Sequence, residues 1–141
     1  MQSYSFLNTI LLVNGVPITG FDEGDDVIQL ARLGDSAAHT IGADGLMTVT
    51  LSADRSGEVI FRIQQTSDSN AYMAGLTTAQ ENGAFVPIFV QFKDTNNNDI
   101  GSGTQGYIPR PADMTRGNAV GSQEWRIVVE RLDLLHLGGA V

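Results

Sequence analysis

The sequence predicts a mainly β domain, a sandwich or barrel of about seven or eight antiparallel strands with one flanking α-helix. Three observations point there. Short segments alternate apolar and polar residues with a period of two. Glycine and asparagine punctuate them at hairpin spacing. One stretch alone, inside Ser56–Gly83, changes to a period of about 3.6 residues. The chain of 141 residues is expected to be a single domain, 1–141.

Tyr4–Val13 reads as a first strand and Val16–Phe21 as a second, joined by Asn14-Gly15, a pair that tolerates the positive φ of a tight turn. Asp22-Glu23-Gly24-Asp25-Asp26 is an acidic turn. Val27–Leu33 follows as a strand, apolar enough on both faces to be covered on two sides. Gly34–Gly45 is small, polar and aperiodic, and reads as a loop with a short extended centre. Leu46–Asp54 sets Met47, Val49, Leu51 and Ala53 against Thr48, Thr50 and Ser52, and is expected to form a hairpin with the next strand through Arg55-Ser56-Gly57.

That next strand opens the organising stretch: Val59, Phe61 and Ile63 alternate with Glu58, Arg62 and Gln64. Ser67, Asp68 and Ser69 offer oxygens to a first helical turn. Tyr72, Leu76 and Ala79 make one apolar stripe, and Asn82-Gly83 closes the helix, since glycine takes the left-handed conformation without steric cost. With small residues at Ala71, Gly75 and Ala79, the helix is expected to pack outside the sheet and cover it. Val86–Lys93 is a strand with Ile88, Val90 and Phe92 on one face. Asp94–Asn98 turns it back onto Ile100–Ile108, glycine-rich and therefore bulged or twisted. Pro109–Gly121 is irregular, and Glu124–Leu135 closes the chain with Trp125 as a core anchor.

Composition excludes several functions. Sixteen acidic against eight basic residues give a net charge of −8, and Lys93 is the only lysine. Tight nucleic-acid binding needs basic groups to displace counterions from phosphates, so no specific nucleic-acid binding is expected. The absence of cysteine removes disulfides, thiol catalysis and thiolate metal sites. Residues 1–14 lack a basic n-region, so no signal peptide is expected, and the apolar run Ile10–Val13 is far too short to span a membrane.

The motifs with chemical meaning fail on context. Gly101-x-Gly103-x-x-Gly106 has the letters of a dinucleotide fingerprint, but Pro109 and Pro111 follow it and no helix N-terminus stands behind it to face a pyrophosphate. Asp94, Asn96 and Asn98 have the first spacings of a calcium loop, yet Asp99 and Gln105 occupy the positions that need glycine and glutamate. His39 and His136 have no third partner of metal-ligand spacing, and no nucleophile elbow is present. Arg110 and Arg116 read either as exposed loop residues or as partners for acids of a neighbouring chain. On the residues alone the chain is a non-enzymatic β-rich domain with no catalytic, cofactor or metal site.

The pattern resembles tail tube proteins of contractile-tailed bacteriophages. The carrying residues are Tyr4-Ser5-Phe6, Thr40-Ile41-Gly42-Ala43-Asp44-Gly45, Ser56-Gly57 with its strand, Thr66-Ser67 through Asn70-Ala71 to Leu76, and Glu124-Trp125. Asp94–Asp99 and the segment after Ile108 do not contribute. The resemblance implies a tail-tube-like fold that self-associates into hexameric rings, with sheets joined edge to edge and rings stacked around a lumen. It implies tail sheath subunits outside, tape-measure protein and genomic DNA inside, and a place in the virion tail after assembly in the host cytoplasm. An acidic lumen would repel phosphate and let DNA slide. Asp22, Glu23, Asp25, Asp26 and Glu58 are the candidate lumen-facing acids. The loop holding Gly34, Asp35, Ser36, His39, Thr40, Gly42, Asp44 and Gly45 is the candidate inter-ring contact. The alternatives are a tube-like baseplate or terminator subunit and a soluble β-barrel ligand-binding module.

Overall fold

The computed structural model describes residues 6, 9–24, 26–96 and 98–137. Among them run nine strands and one helix: β1 (Thr9–Val13), β2 (Val16–Pro17), β3 (Ile28–Arg32), β4 (Ala37–Ile41), β5 (Met47–Leu51), β6 (Gly57–Gln64), α1 (Ser69–Glu81), β7 (Ile88–Asp94), β8 (Asp99–Tyr107) and β9 (Ser122–Leu135). Seven strands form one antiparallel sheet in the order β2-β1-β7-β8-β9-β6-β3, while β4 and β5 pair only with each other. The predicted beginning of the first strand at Tyr4 and Ser5 lies outside the described residues. Phe6 is described, and its ring meets that of Phe21 edge to face at 5.4 Å.

The sheet is bent around its core. Strands β3 and β8 have β9 and β6 between them, so a flat sheet would hold them about 14 Å apart. Instead, a Cβ at Gly101 of β8 would stand 2.6 Å from Leu30 Cδ2 of β3. The concave face carries Leu11, Val13, Val59, Phe61, Ile63, Ile88, Val90, Trp125, Ile127, Val129 and Leu132, all buried in one cluster. All but Leu132 come from alternate positions of their strands, which is why the period of two was visible in the sequence.

The predicted bulge sits in β8. Between Ile88 and Val90 of β7 the register slips by one residue against Gly106 and Gly103, and Gln105 has φ +56°. β9 keeps one continuous register against β8 past this point, while its burial changes phase between Val129 and Leu132.

Four expectations are corrected. Val16–Phe21 is a strand only at Val16–Pro17, because Pro17 has no N–H for a ladder; Phe21 rejoins the sheet through a single bridge to Ile63. The Val27–Leu33 strand is not covered on both faces: β3 is an edge, with Leu30 packed on the core and Gln29 exposed. Leu46–Asp54 does not form a hairpin with the strand at Gly57, since β6 pairs with β3 and β9. The helix lies on the core side of the sheet along a different line from the predicted one.

That line is Ser69, Met73 and Thr77, all buried, with Tyr72 and Leu76 packed at its flanks and Ala71 and Gly75 exposed. Serine and threonine looked polar in sequence, but here their hydroxyls are absorbed locally. Ser69 Oγ accepts from Thr19 N–H at 3.0 Å, and Thr77 Oγ1 donates to Met73 O at 3.0 Å. Side-chain hydrogen bonds then tie the helix to the sheet. Tyr72 OH donates to Val13 O, Trp125 Nε1 donates to Asn70 Oδ1, and Gln80 exchanges two bonds with the backbone of Ile108. Gly83 closes the helix at φ +84°, as the sequence predicts.

Candidate assembly surfaces

The segment read as a loop with a short extended centre, Gly34–Gly45, is half of a hairpin, its extended centre being a paired strand. Its residues 37–41 form β4, which pairs with β5 in the register Ala37↔Leu51, His39↔Val49, Ile41↔Met47. Three local features build the turn. Gly45 adopts φ +86°, Gly42 N–H donates to Leu46 O at 2.8 Å, and Asp44 Oδ1 accepts from Leu46 N–H. The strand at 37–41 was hidden because alanine, histidine and threonine carry little apolar signal. Its extended conformation comes from the ladder with β5, a tertiary pairing that its own residues do not announce.

Alternation gives this hairpin two unlike faces. One presents Ala37, His39, Ile41, Met47, Val49 and Leu51; the other presents Ala38, Thr40, Thr48 and Thr50. Every residue of both strands is exposed, with Leu51 at 79% and Leu46 at the turn at 71%. A two-stranded hairpin is marginal by itself in water, and an apolar face left open this way is the usual mark of an interaction surface.

The foot of the hairpin is held more firmly. Ser52 N–H donates to Ser36 O at 2.9 Å, and Arg55 Nη1 donates to Ser52 O at 2.7 Å. The Asp54 carboxylate accepts from both the hydroxyl and the N–H of Ser56, which holds its pKa below the ordinary value. Leu132 N–H donates to Arg55 O, and Arg32 Nε donates to Leu132 O, so the foot is pinned to the end of β9.

Among the described candidate lumen acids, Glu58 borders one groove and Asp22 and Glu23 another. Glu58 lies on the convex face of β6, in an ion pair with Arg126 of β9. The two border a groove of about 590 Å³ with Arg62, Arg110, Asp113 and Glu124, where the charges balance. Asp22 and Glu23 flank a separate cavity with Asp94 and Phe92. Asp26 is exposed, and its backbone oxygen accepts from Arg62. Asp25 lies outside the described residues.

No group of three or more metal-ligating side chains occurs among the described residues, and no helix there is long and apolar enough to cross a membrane. Asp94 Oδ1 accepts from the N–H and the side chain of Asn96, closing the turn on itself. Gly101, Gly103 and Gly106 are buried beneath Leu30, Val129 and Ile127, so their missing side chains make room for the core.

Sequence reasoning missed the second strand of the arm, Met47–Leu51, as part of this surface. The alternation of that strand was plain, but its partner was assigned wrongly. It also missed an exposed row on the convex face, Ile10, Lys93, Ile100 and Leu135, aligned across four strands. Only the cross-strand register brings those four together.

A protein-family model described as "Bacteriophage PhiTE tail tube protein" matches residues 1–138. Among solved structures, the PVC sheath/tube terminator of an extracellular contractile injection system, in its extended state, is similar at a TM-score of 0.64. It is 10% identical, over 96% of this chain and 98% of that one. The anti-feeding prophage cap, a tube-terminating cap, gives 0.62 at 6% identity over 96% and 93%. A chain of the PVC sheath–tube complex gives 0.60 at 10% over 92% and 88%. These likenesses show a shared fold. No curated protein sequence matches the chain.

Proposed function

The chain belongs to the bacteriophage PhiTE tail tube protein family, and on that premise we propose that it is the repeating wall subunit of a hollow phage tail tube. It is a structural protein and not an enzyme. In this reading six copies close a ring, rings stack, and the tube lies inside a contractile sheath in the virion tail. Tape-measure protein fills the lumen before ejection and genomic DNA passes through it. The subunits assemble in the host cytoplasm.

The observation that carries the reading is the β4–β5 hairpin. Its apolar face is open along its whole length, and it is the kind of element that gains stability from a second chain. It holds His39, Thr40, Gly42, Asp44 and Gly45 of the residues expected to reach the next ring, with Gly34, Asp35 and Ser36 at its foot, and becomes the assembly arm. Two further features support self-association. The sheet ends at β3 on one side and at the two-residue β2 on the other. Unpaired edges of this kind invite pairing between copies, and a head-to-tail contact that closes makes a ring. Asp22, Glu23, Asp25, Asp26 and Glu58 remain proposed lumen acids. Glu58 is the weakest among them, since Arg126 already neutralises it.

The test is removal of the arm. Ser36 and Ser52 are hydrogen-bonded across the foot, so residues 37–51 can be replaced by a two-residue turn without opening the sheet. The shortened chain should keep its circular dichroism and cooperative unfolding yet form no tubes under conditions where the full chain does. Normal tubes from the shortened chain would overturn the role of the arm.

A further inference from the structure

The curl of the sheet gives the molecule two outward sides, on opposite faces of its core. β3 lies over β8, where a Cβ at Gly101 would meet Leu30 at 2.6 Å. β6 and the first half of β9 therefore back one side of the core, and β1, β7 and β8 the other. The two sides differ in chemistry. On β6 and β9 the positions between buried residues carry Glu58, Arg62, Glu124 and Arg126. Glu58 pairs with Arg126, and Arg62 stands in register with Glu124, so this side is charged, balanced and hydrated.

On the other side Ile10, Lys93, Ile100 and Leu135 align across β1, β7, β8 and β9. Ile10 is 45% exposed, Ile100 42% and Leu135 52%. The first three of the row line a shallow apolar groove of about 290 Å³ with Leu12. Lys93 is the only lysine of the chain and forms no ion pair among the described residues. The row spans three strand spacings, about 14 Å, too wide for one side chain of the same sheet to shade.

We infer that the β6–β9 side faces the lumen and that the row faces outward, as the docking surface for a sheath subunit that covers it with apolar side chains and one carboxylate. This rests on the tube-subunit reading and names the surface that meets the sheath.

Neither the lumen nor a copy in the same ring suits the row. DNA slides along a wall that holds neither phosphate nor protein, whereas an unpaired lysine draws phosphate and a bare apolar row holds protein. The balanced pairs of the opposite side do neither. Copies in one ring meet through the sheet edges β3 and β2, and β7 and β8 each have at least one strand between them and either edge. The outside of the tube remains, where a second protein layer is the partner. Charge sets the chemistry of that layer. Covering Lys93 takes water from a cation, so the covering surface must bring a carboxylate within ion-pair reach. The isoleucines on either side of Lys93 ask for apolar partners around that carboxylate.

The absence of native cysteine gives a direct test. Lys93→Cys and Glu124→Cys each place one thiol, on opposite sides of the core. Tubes of each chain are exposed to maleimide-coated gold particles wider than the tube, and separately to a small maleimide dye that can enter the lumen. Gold should decorate Lys93→Cys tubes along their walls and leave Glu124→Cys tubes bare, while the dye labels both. Gold on Glu124→Cys walls, or Lys93→Cys walls without gold, overturns the inference. Glu124→Cys tubes that take neither reagent place that side between copies and overturn it as well. The native chain guards against a cysteine variant that misfolds, because Lys93 is its only side-chain amine. Acetic anhydride should modify Lys93 in bare tubes as fully as in single chains, read by mass spectrometry of its peptide. In tails with the extended sheath in place that modification should be lost. Equal modification with and without the sheath overturns the docking surface and leaves the tube reading standing. Lys93→Glu should form tubes that no sheath surrounds, since its carboxylate repels the one that Lys93 attracts; normally sheathed tails from this variant count against the pairing. A native chain that forms no tubes at any concentration removes the tube reading, and this surface with it.

Discussion

Gly57 shows how closely single residues determine this fold. It opens β6 beneath Leu132, and a Cβ there would stand 2.5 Å from Leu132 Cδ2 and 2.9 Å from the backbone oxygen of Ala31. The backbone oxygen cannot swing aside, so Gly57→Ala should destabilise the chain by about 1–3 kcal/mol. Urea unfolding measures it, and an unchanged midpoint would show that the end of β9 is looser than described. Asp54 makes a prediction about pH. Its lowered pKa comes from the Ser56 hydroxyl, then the Ser56 N–H. A carboxylate of depressed pKa contributes stability that is complete above the ordinary value of 3.8 and is lost as the pH falls through the lower one. The Ser56 amide resonance should therefore titrate with a midpoint below 3.8, and the Asp54→Asn chain should lack that titration. A midpoint at or above 3.8 would mean the foot of the arm is not closed by this carboxylate.

At the scale of elements, the helix and the arm were legible to different degrees. The existence and ends of α1 could be read from its period, the serines before it and Gly83 after it. Its buried line could not, because Ser69 and Thr77 are buried through hydrogen bonds that only the folded neighbours provide. The two lines differ in consequence. Met73→Ala should cost about 2–5 kcal/mol, as for a fully buried side chain, and Leu76→Ala clearly less. Equal costs would favour the sequence-read stripe. Gly75 faces open space, so Gly75→Ala should raise stability by about 0.5–1 kcal/mol by removing a flexible residue from a helix interior. The arm was half legible. Met47, Val49 and Leu51 announced a strand, but alternation says nothing about which strand lies beside it. The candidate surfaces suffered the same way: the row of Ile10, Lys93, Ile100 and Leu135 draws on four distant stretches, and Asp22 and Glu23 line a different cavity from the one that Glu58 borders.

For the whole molecule, the curled sheet and the helix on its concave side use the apolar alternation of β1, β6, β7 and β9 to fill one core. What the core leaves over lies outside it: an arm with one apolar face, two open sheet edges, and an apolar row around a lone lysine. A chain meant to work alone would cover or charge such features. Belonging to a tail tube family fits the proposed assembly, in which each of these open features would become a contact between chains. The low charge content, 17% of residues, fits a surface largely destined for burial against other copies. The measurement that bears most directly on this account is electron microscopy of the purified full-length chain at increasing concentration. It should show hollow tubes of uniform width built from stacked rings. Monodisperse single chains at every concentration, with no rings or tubes, would contradict it.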